Sequence, residues 1–310
     1  MARESLPQLA PEVFLTDSGL ETELIFNQGV ELPEFAAFPL LLTSDGLERL
    51  RSYFVAHAEV AVKAGVGFVL EAPTWRANAD WGALLGFDAA ALAEVNQAAI
   101  KQLVEIRAEF AYAGQPYVIS GNIGPRGDAY RPEALMTADE AAAYHRAQIE
   151  TFAGTEADLV TALTLTYAAE AIGIAWAARE AGTPVVLSFT VETDGMLPDG
   201  STIGAAITAV DEATDRYPAY YMINCAHPTH FADVLDPGAA WMPRLRGLRA
   251  NASSRSHAEL DEATELDRGD PVEFGREYAA LRARFPNLTV LGGCCGSDVR
   301  HVQQIAAACL

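Results

Sequence analysis

The sequence predicts a single α/β domain over residues 1–310, folded as a (β/α)8 TIM-type barrel, and three observations carry that prediction. Eight short apolar runs rich in β-branched residues recur along the chain: 13–16, 67–74, 117–124, 158–166, 184–191, 220–226, 245–253 and 288–296. Segments with helical periodicity lie between them, among them 44–65, 137–154 and 201–217, each with Ser or Thr in the N-cap place. No internal repeat, low-complexity tract or Gly/Ser linker divides the chain.

Strands that are apolar on both faces and alternate with helices imply a parallel sheet covered by helices. Eight such units suit a closed barrel better than a doubly wound open sheet of five or six strands, which stands second. The most polar stretch, 253–271, reads as one long loop with a short acidic helix.

Half of the residues are hydrophobic, enough for one large core. The formal charge of −21 repels phosphate backbones and anionic lipid, so nucleic-acid and membrane-surface roles are disfavoured. No run of eighteen apolar residues occurs, and the start MARESLPQLAPEVF lacks the basic and apolar regions of an export signal. A cytoplasmic protein is expected. Its four cysteines, 225, 294, 295 and 309, then point to metal or thiol chemistry rather than to disulfides.

A barrel builds its active site from the C-terminal ends of its strands. The unusual residues fall there: Asp17 after the first run, Thr74 at the end of the second, GNIGPRG (121–127) at the third, Cys225 at the sixth, Asn251 at the seventh, and Cys294 and Cys295 at the eighth. Closure would gather them into one ring. Three soft thiolates without an obvious fourth partner suit a zinc ion whose last position is left for substrate. His227 and His230, in NCAHPTH, are each candidates for a fourth ligand that would close the site, and Cys309 is a weaker one. Glycines 292, 293 and 296 permit the bends that consecutive cysteines need to reach one ion. GNIGPRG lacks the residues of a phosphate cradle and reads as a backbone turn close to the pocket. His57, His145 and Glu23 read as packing or surface residues.

These motifs resemble the homocysteine S-methyltransferase family over nearly the whole chain. LTDSGLETEL (15–24) looks like the family's opening motif, GNIGPRGD its strand-3 turn and SFTVETDGMLPDG (188–200) its strand-5 segment. INCAHP (223–228) and LGGCCGS (291–297) look like its zinc cysteines. The resemblance implies a methyltransferase of methionine biosynthesis in which Cys225, Cys294 and Cys295 bind Zn2+. It further implies that Asp17 lies near the substrate amino group, and that Thr74, the backbone around Asn224 and the strand-7 Asn251 surround the amino acid. The expected donor is a sulfonium such as S-methylmethionine or S-adenosylmethionine, and the acceptor is homocysteine. The expected assembly is a monomer or homodimer, because the chain stops fifteen residues after Cys295 without the long arm of tetrameric relatives.

Three departures stand out. Leu163 and Thr164 occupy positions where many members carry a Glu that binds the substrate ammonium; the strand-7 motif reads Arg249-Ala250-Asn251-Ala252-Ser253; and Ser18 replaces a glycine. Asp17, Glu71 or Glu192 must then receive the ammonium, or the acceptor is a different thiol or selenol. A closed, non-catalytic zinc or redox site is the reading from another class.

Overall fold

A computed structural model of the chain describes residues 6–130, 135–263 and 265–310. Residues 1–5, part of the stretch searched for an export signal, lie outside it. Eight parallel strands close into a barrel in sequence order: β1 Phe14–Thr16, β2 Gly67–Glu71, β3 Tyr117–Ile123, β4 Leu159–Leu165, β5 Val185–Phe189, β6 Tyr220–Asn224, β7 Leu245–Ala250 and β8 Val290–Gly293. Each lies inside one of the eight apolar runs. Closure is made by β1 against β8, with Phe14 opposite Val290.

The crossovers carry α1 Ser44–Ala64, α2 Ala89–Glu109, α3 Ala138–Ala153, α4 Ala168–Glu180, α5 Ile203–Ala213, α6 Pro271–Arg284 and, after β8, α7 Val299–Cys309. Between β6 and β7 only the four-residue helix Pro228–Phe231 and a 3-10 turn are present. Thr137 caps α3 in a capping box with Glu140, as the sequence suggests. The caps of α1 and α5 are Thr43 and Thr202, each one residue away from the serine that the pattern marks. Within the polar stretch His257–Asp261 forms the expected short helix. Among the described residues no helix is long and apolar enough to cross a membrane.

Alternation along the strands divides the core in two. Leu15, Phe68, Leu70, Ile119, Leu187 and Leu248 join the helices in the outer core. Phe14, Val69, Val118, Leu159, Val186, Met222 and Val290 fill the barrel interior, with Leu6 packed among them. Further along, the inward positions of seven of the eight strands turn polar, with Thr16, Glu71, Ser120, Thr161, Ser188, Asn224 and Arg249 all buried, while β8 has Gly292. The interior is therefore an apolar plug beneath a polar floor at the C-terminal end. Gly121 lets α3 press onto β3, since a Cβ there would meet the Phe152 ring at 2.5 Å.

The loop after β3 is braced from α4. Glu170, almost fully buried, accepts the Arg126 N–H at 2.8 Å and pairs with His145 Nε2 at 2.9 Å. Breaking a buried pair strands its partner. Glu170→Ala should therefore cost about 3 kcal/mol in urea unfolding; a loss below about 1 kcal/mol would show that the brace contributes no more than a surface ion pair.

Candidate active site

Cys225 follows β6 directly and holds a left-handed backbone, φ 58°, which costs a non-glycine residue about 1–2 kcal/mol. The conformation is over-determined. Its N–H donates to Arg249 O at 3.0 Å, and its carbonyl accepts Asn251 Nδ2 at 3.0 Å and lies 2.6 Å from His257 Nε2. Cys294 and Cys295 follow β8, with Cys294 N–H donating to Ala250 O at 2.8 Å and Ser297 Oγ to Cys294 O at 2.7 Å. Gly292 stands where a Cβ would lie 2.0 Å from Thr16 Oγ1, and Gly296 takes φ 80°. The glycines around the pair are thus required by close approach and by backbone hand.

The three sulfurs converge, all within 4.8 Å of one another, with Cys225 to Cys294 at 3.1 Å and Cys225 to Cys295 at 3.6 Å. Sulfurs bound tetrahedrally to one zinc at about 2.3 Å would stand about 3.8 Å apart. The donor set therefore fits a soft metal in both spacing and chemistry. Hydrogen bonding with Cys225 and Cys295, reinforced by the Arg249 charge, holds the Cys294 thiol well below its ordinary range. The hydrogen bond with Cys294 pushes Cys225 well above its range, and those with Cys225 and Cys294 do the same to Cys295.

Among the described residues no histidine or carboxylate joins this group. The His227 ring, 2.8 Å from Thr229 Oγ1, caps the helix Pro228–Phe231, and His230 Nε2 lies 2.9 Å from Ser254 O. Cys309, in α7, is likewise outside the group.

Two cavities meet at the cysteines. The inner one, about 60 Å³, is lined by Asp17, Glu21, Glu71, Asn122, Leu163, Asn224, Arg249 and the three cysteines. The outer one, about 360 Å³, is lined by Phe26, Arg76, Asp128, Asn251, His257, Glu265 and Asp267. Thr22, Phe35, Trp75, Tyr130 and Cys295 border both. Tyr130, on the loop after β3, places its hydroxyl 2.9 Å from Cys225 Sγ and its ring 4.1 Å from the His257 ring.

The floor of the inner cavity is charged. Arg249, 4% exposed, sets Nη2 2.5 Å from Asp17 Oδ1 and donates from Nε to Gly293 O at 3.1 Å and from Nη2 to Ser18 O at 3.2 Å. Burial opposes the guanidinium charge, but Asp17 and Glu71 outweigh it and raise the Arg249 pKa. Burial raises Asp17 above the usual carboxyl value, with Arg249 acting against it, and pushes both Glu71 and Glu21 up to about 7.

Of the other residues singled out in the sequence, Asn224 lines the inner cavity but spends its side chain as a brace. Oδ1 accepts the Thr164 N–H at 2.8 Å and Ser188 Oγ at 2.7 Å, and Nδ2 donates to Thr164 Oγ1 at 2.8 Å. Thr74 lines neither cavity; its hydroxyl donates to Asn122 O at 2.8 Å, holding β2 to β3. Glu192 is also outside both, 3.3 Å from His257 Nδ1. His57, buried as a packing residue, stands 2.7 Å from Ser18 Oγ and fixes the turn after β1. Sequence reasoning missed Tyr130, His257, Trp75 and Phe35. Arg249 and Glu71 carried a signal, a charge two positions beyond an inward-facing strand residue.

The family model for homocysteine S-methyltransferase matches residues 14–309. The chain belongs to that family. It is 32% identical over 136 residues to the methionine synthases of Mycobacterium tuberculosis and Mycobacterium leprae, a match covering 40% of this chain and 10% of each of those proteins. The metallated form of the Escherichia coli homocysteine methyltransferase MmuM superposes with a TM-score of 0.73 at 18% identity over 96% of both chains. Its oxidized form gives 0.72 over the same shares. Identity at that level speaks to the fold, a single barrel.

The Glu71 carboxyl lies at about 7 in the folded state against an ordinary 4.5, so the folded protein holds this proton more tightly than the unfolded chain. Its contribution is fully favourable below pH 4.5 and is lost as pH rises through about 7. Urea unfolding of wild type and Glu71→Gln at pH 5 and pH 8 should show the variant gaining on wild type at the higher pH. Parallel pH dependences would contradict the shift.

Proposed function

We propose that this protein is a zinc-dependent S-methyltransferase that moves a methyl group from a sulfonium donor, S-methylmethionine or S-adenosylmethionine, to homocysteine, giving methionine. The observation that carries the reading is the convergence of three cysteine sulfurs from two strand ends at the junction of two cavities. Cys225, Cys294 and Cys295 would hold the metal and leave a position for the acceptor. Zinc in that place supplies the Lewis acidity that removes the proton of the acceptor thiol, whose free pKa near 8.5 leaves it mostly protonated at neutral pH.

The chain's own groups account for the remainder. The inner cavity takes a short polar thiol, and its walls set the sulfur against the cysteines. The outer cavity takes the donor, where Phe26, Phe35, Trp75 and Tyr130 offer aromatic surface and Asp128, Glu265 and Asp267 negative charge to a cation. Held in line, the acceptor sulfur forms the new S–CH3 bond while the donor's S–CH3 bond breaks and its electron pair returns to the donor sulfur. The donor leaves neutral, so no general acid is needed.

Leu163 on the inner wall favours one second reading, the same chemistry on a thiol or selenol that carries no ammonium at that side.

Purified protein is expected to contain about one zinc per chain and to form methionine from homocysteine with one of the two sulfonium donors. Cys294→Ser should lose metal and transfer together, and chelation should abolish turnover until zinc is restored. Full activity in metal-free wild type would overturn the proposal, and a wide preference for another acceptor would move it to the second reading.

A further inference from the structure

Arg249 and Glu71 are unusual company for a metal–thiol cluster. An arginine drawn into a barrel interior carries a desolvation cost of several kcal/mol unless its donors are satisfied. Here the account is incomplete. Nε and Nη2 are engaged by Gly293 O, Ser18 O and Asp17, while Nη1 has no hydrogen-bond partner among the described residues. Opposite in charge and equally buried, Glu71 leaves Oε2 without a partner, and Asn122 leaves Oδ1. All three side chains are more than nine-tenths buried, and all three line the inner cavity beneath the cysteines. Arg249 and Glu71 line one small chamber, each with a polar atom that makes no hydrogen bond, and their opposite charges match the two ends of a zwitterion. The chamber itself is small, about 60 Å³, so the molecule it takes is short.

Resting on the proposed methyl transfer, we propose that Arg249 and Glu71 are the residues that read the amino-acid end of the acceptor, Arg249 binding its carboxylate and Glu71 its ammonium. Asp17 Oδ1, 2.5 Å from Nη2 yet likewise without a hydrogen bond, then serves as the counter-ion that keeps the guanidinium in place. The apolar Leu163 wall is accounted for as well: the ammonium is received from β2 instead of β4. The acceptor class that follows is an α-amino acid with a thiol on a short side chain, as against a plain thiol amine or thiol acid.

Two truncated acceptors test each half separately: 3-aminopropane-1-thiol, which is homocysteine without its carboxylate, and 4-sulfanylbutanoate, which lacks the ammonium. Wild type should favour homocysteine over each by about 10- to 100-fold in kcat/KM, the value of a charge-assisted hydrogen bond. Arg249→Gln should erase the preference over 3-aminopropane-1-thiol while keeping that over 4-sulfanylbutanoate, and Glu71→Gln should do the reverse. If Arg249→Gln fails to fold because Asp17 is left unpaired, Arg249→Lys keeps the charge and should lose part of the same preference.

Calorimetric titration of the zinc-loaded protein with the three thiols gives the same comparison without methyl transfer. Absence of turnover with any thiol and donor would sink the methyltransferase reading, yet leave this crossed binding pattern measurable. Equal binding of all three thiols by wild type, or unchanged preferences in both variants, would overturn the proposal and leave the unpaired atoms to trapped water.

Discussion

Strand β7 holds the site together through two backbone hydrogen bonds. Its carbonyls at Arg249 and Ala250 accept the N–H groups of Cys225 and Cys294, so the sixth and eighth strand ends are tied to the strand between them. Residues some seventy positions apart thereby bring their sulfurs within 4.8 Å. The left-handed turn at Cys225 and the close backbone approach at Gly292 follow from that arrangement. A strand pairs through its main chain, so β7 does this work whatever its side chains are, which leaves Arg249 free to point into the barrel.

The same strand introduces the site's main electrostatic feature. An arginine inside a barrel is tolerable only beside acids, and Asp17 and Glu71 supply them. In turn, its positive charge favours the thiolate at Cys294. Charge on the floor and sulfur on the wall are therefore coupled, and the polar layer above the apolar plug is a chemical unit as well as a packing one.

Much of this was legible in the chain because it depends on local rules. Each of the eight strands lies inside an apolar run, and Thr137 caps its helix where the pattern places it. The three cysteines stood out because thiols at strand ends are few and chemically distinct. Cap positions slipped by one residue at Thr43 and Thr202, since adjacent Ser and Thr satisfy the same pattern and only backbone geometry chooses between them. Thr74 occupies a strand-end position yet is turned to Asn122, because position along a strand does not settle which neighbour a hydroxyl finds.

By itself the sequence determined the barrel, the order of its strands and the cysteines that meet at its mouth, because periodicity and strand-end position are properties of short segments. Only the tertiary structure decided that His227 and His230 stand apart from the sulfurs, and that Tyr130 reaches Cys225 across 95 residues. It also turned Arg249 from an odd residue in a motif into the partner of Asp17, 2.5 Å away. Contacts between distant side chains depend on barrel closure and strand register, and no local pattern records either.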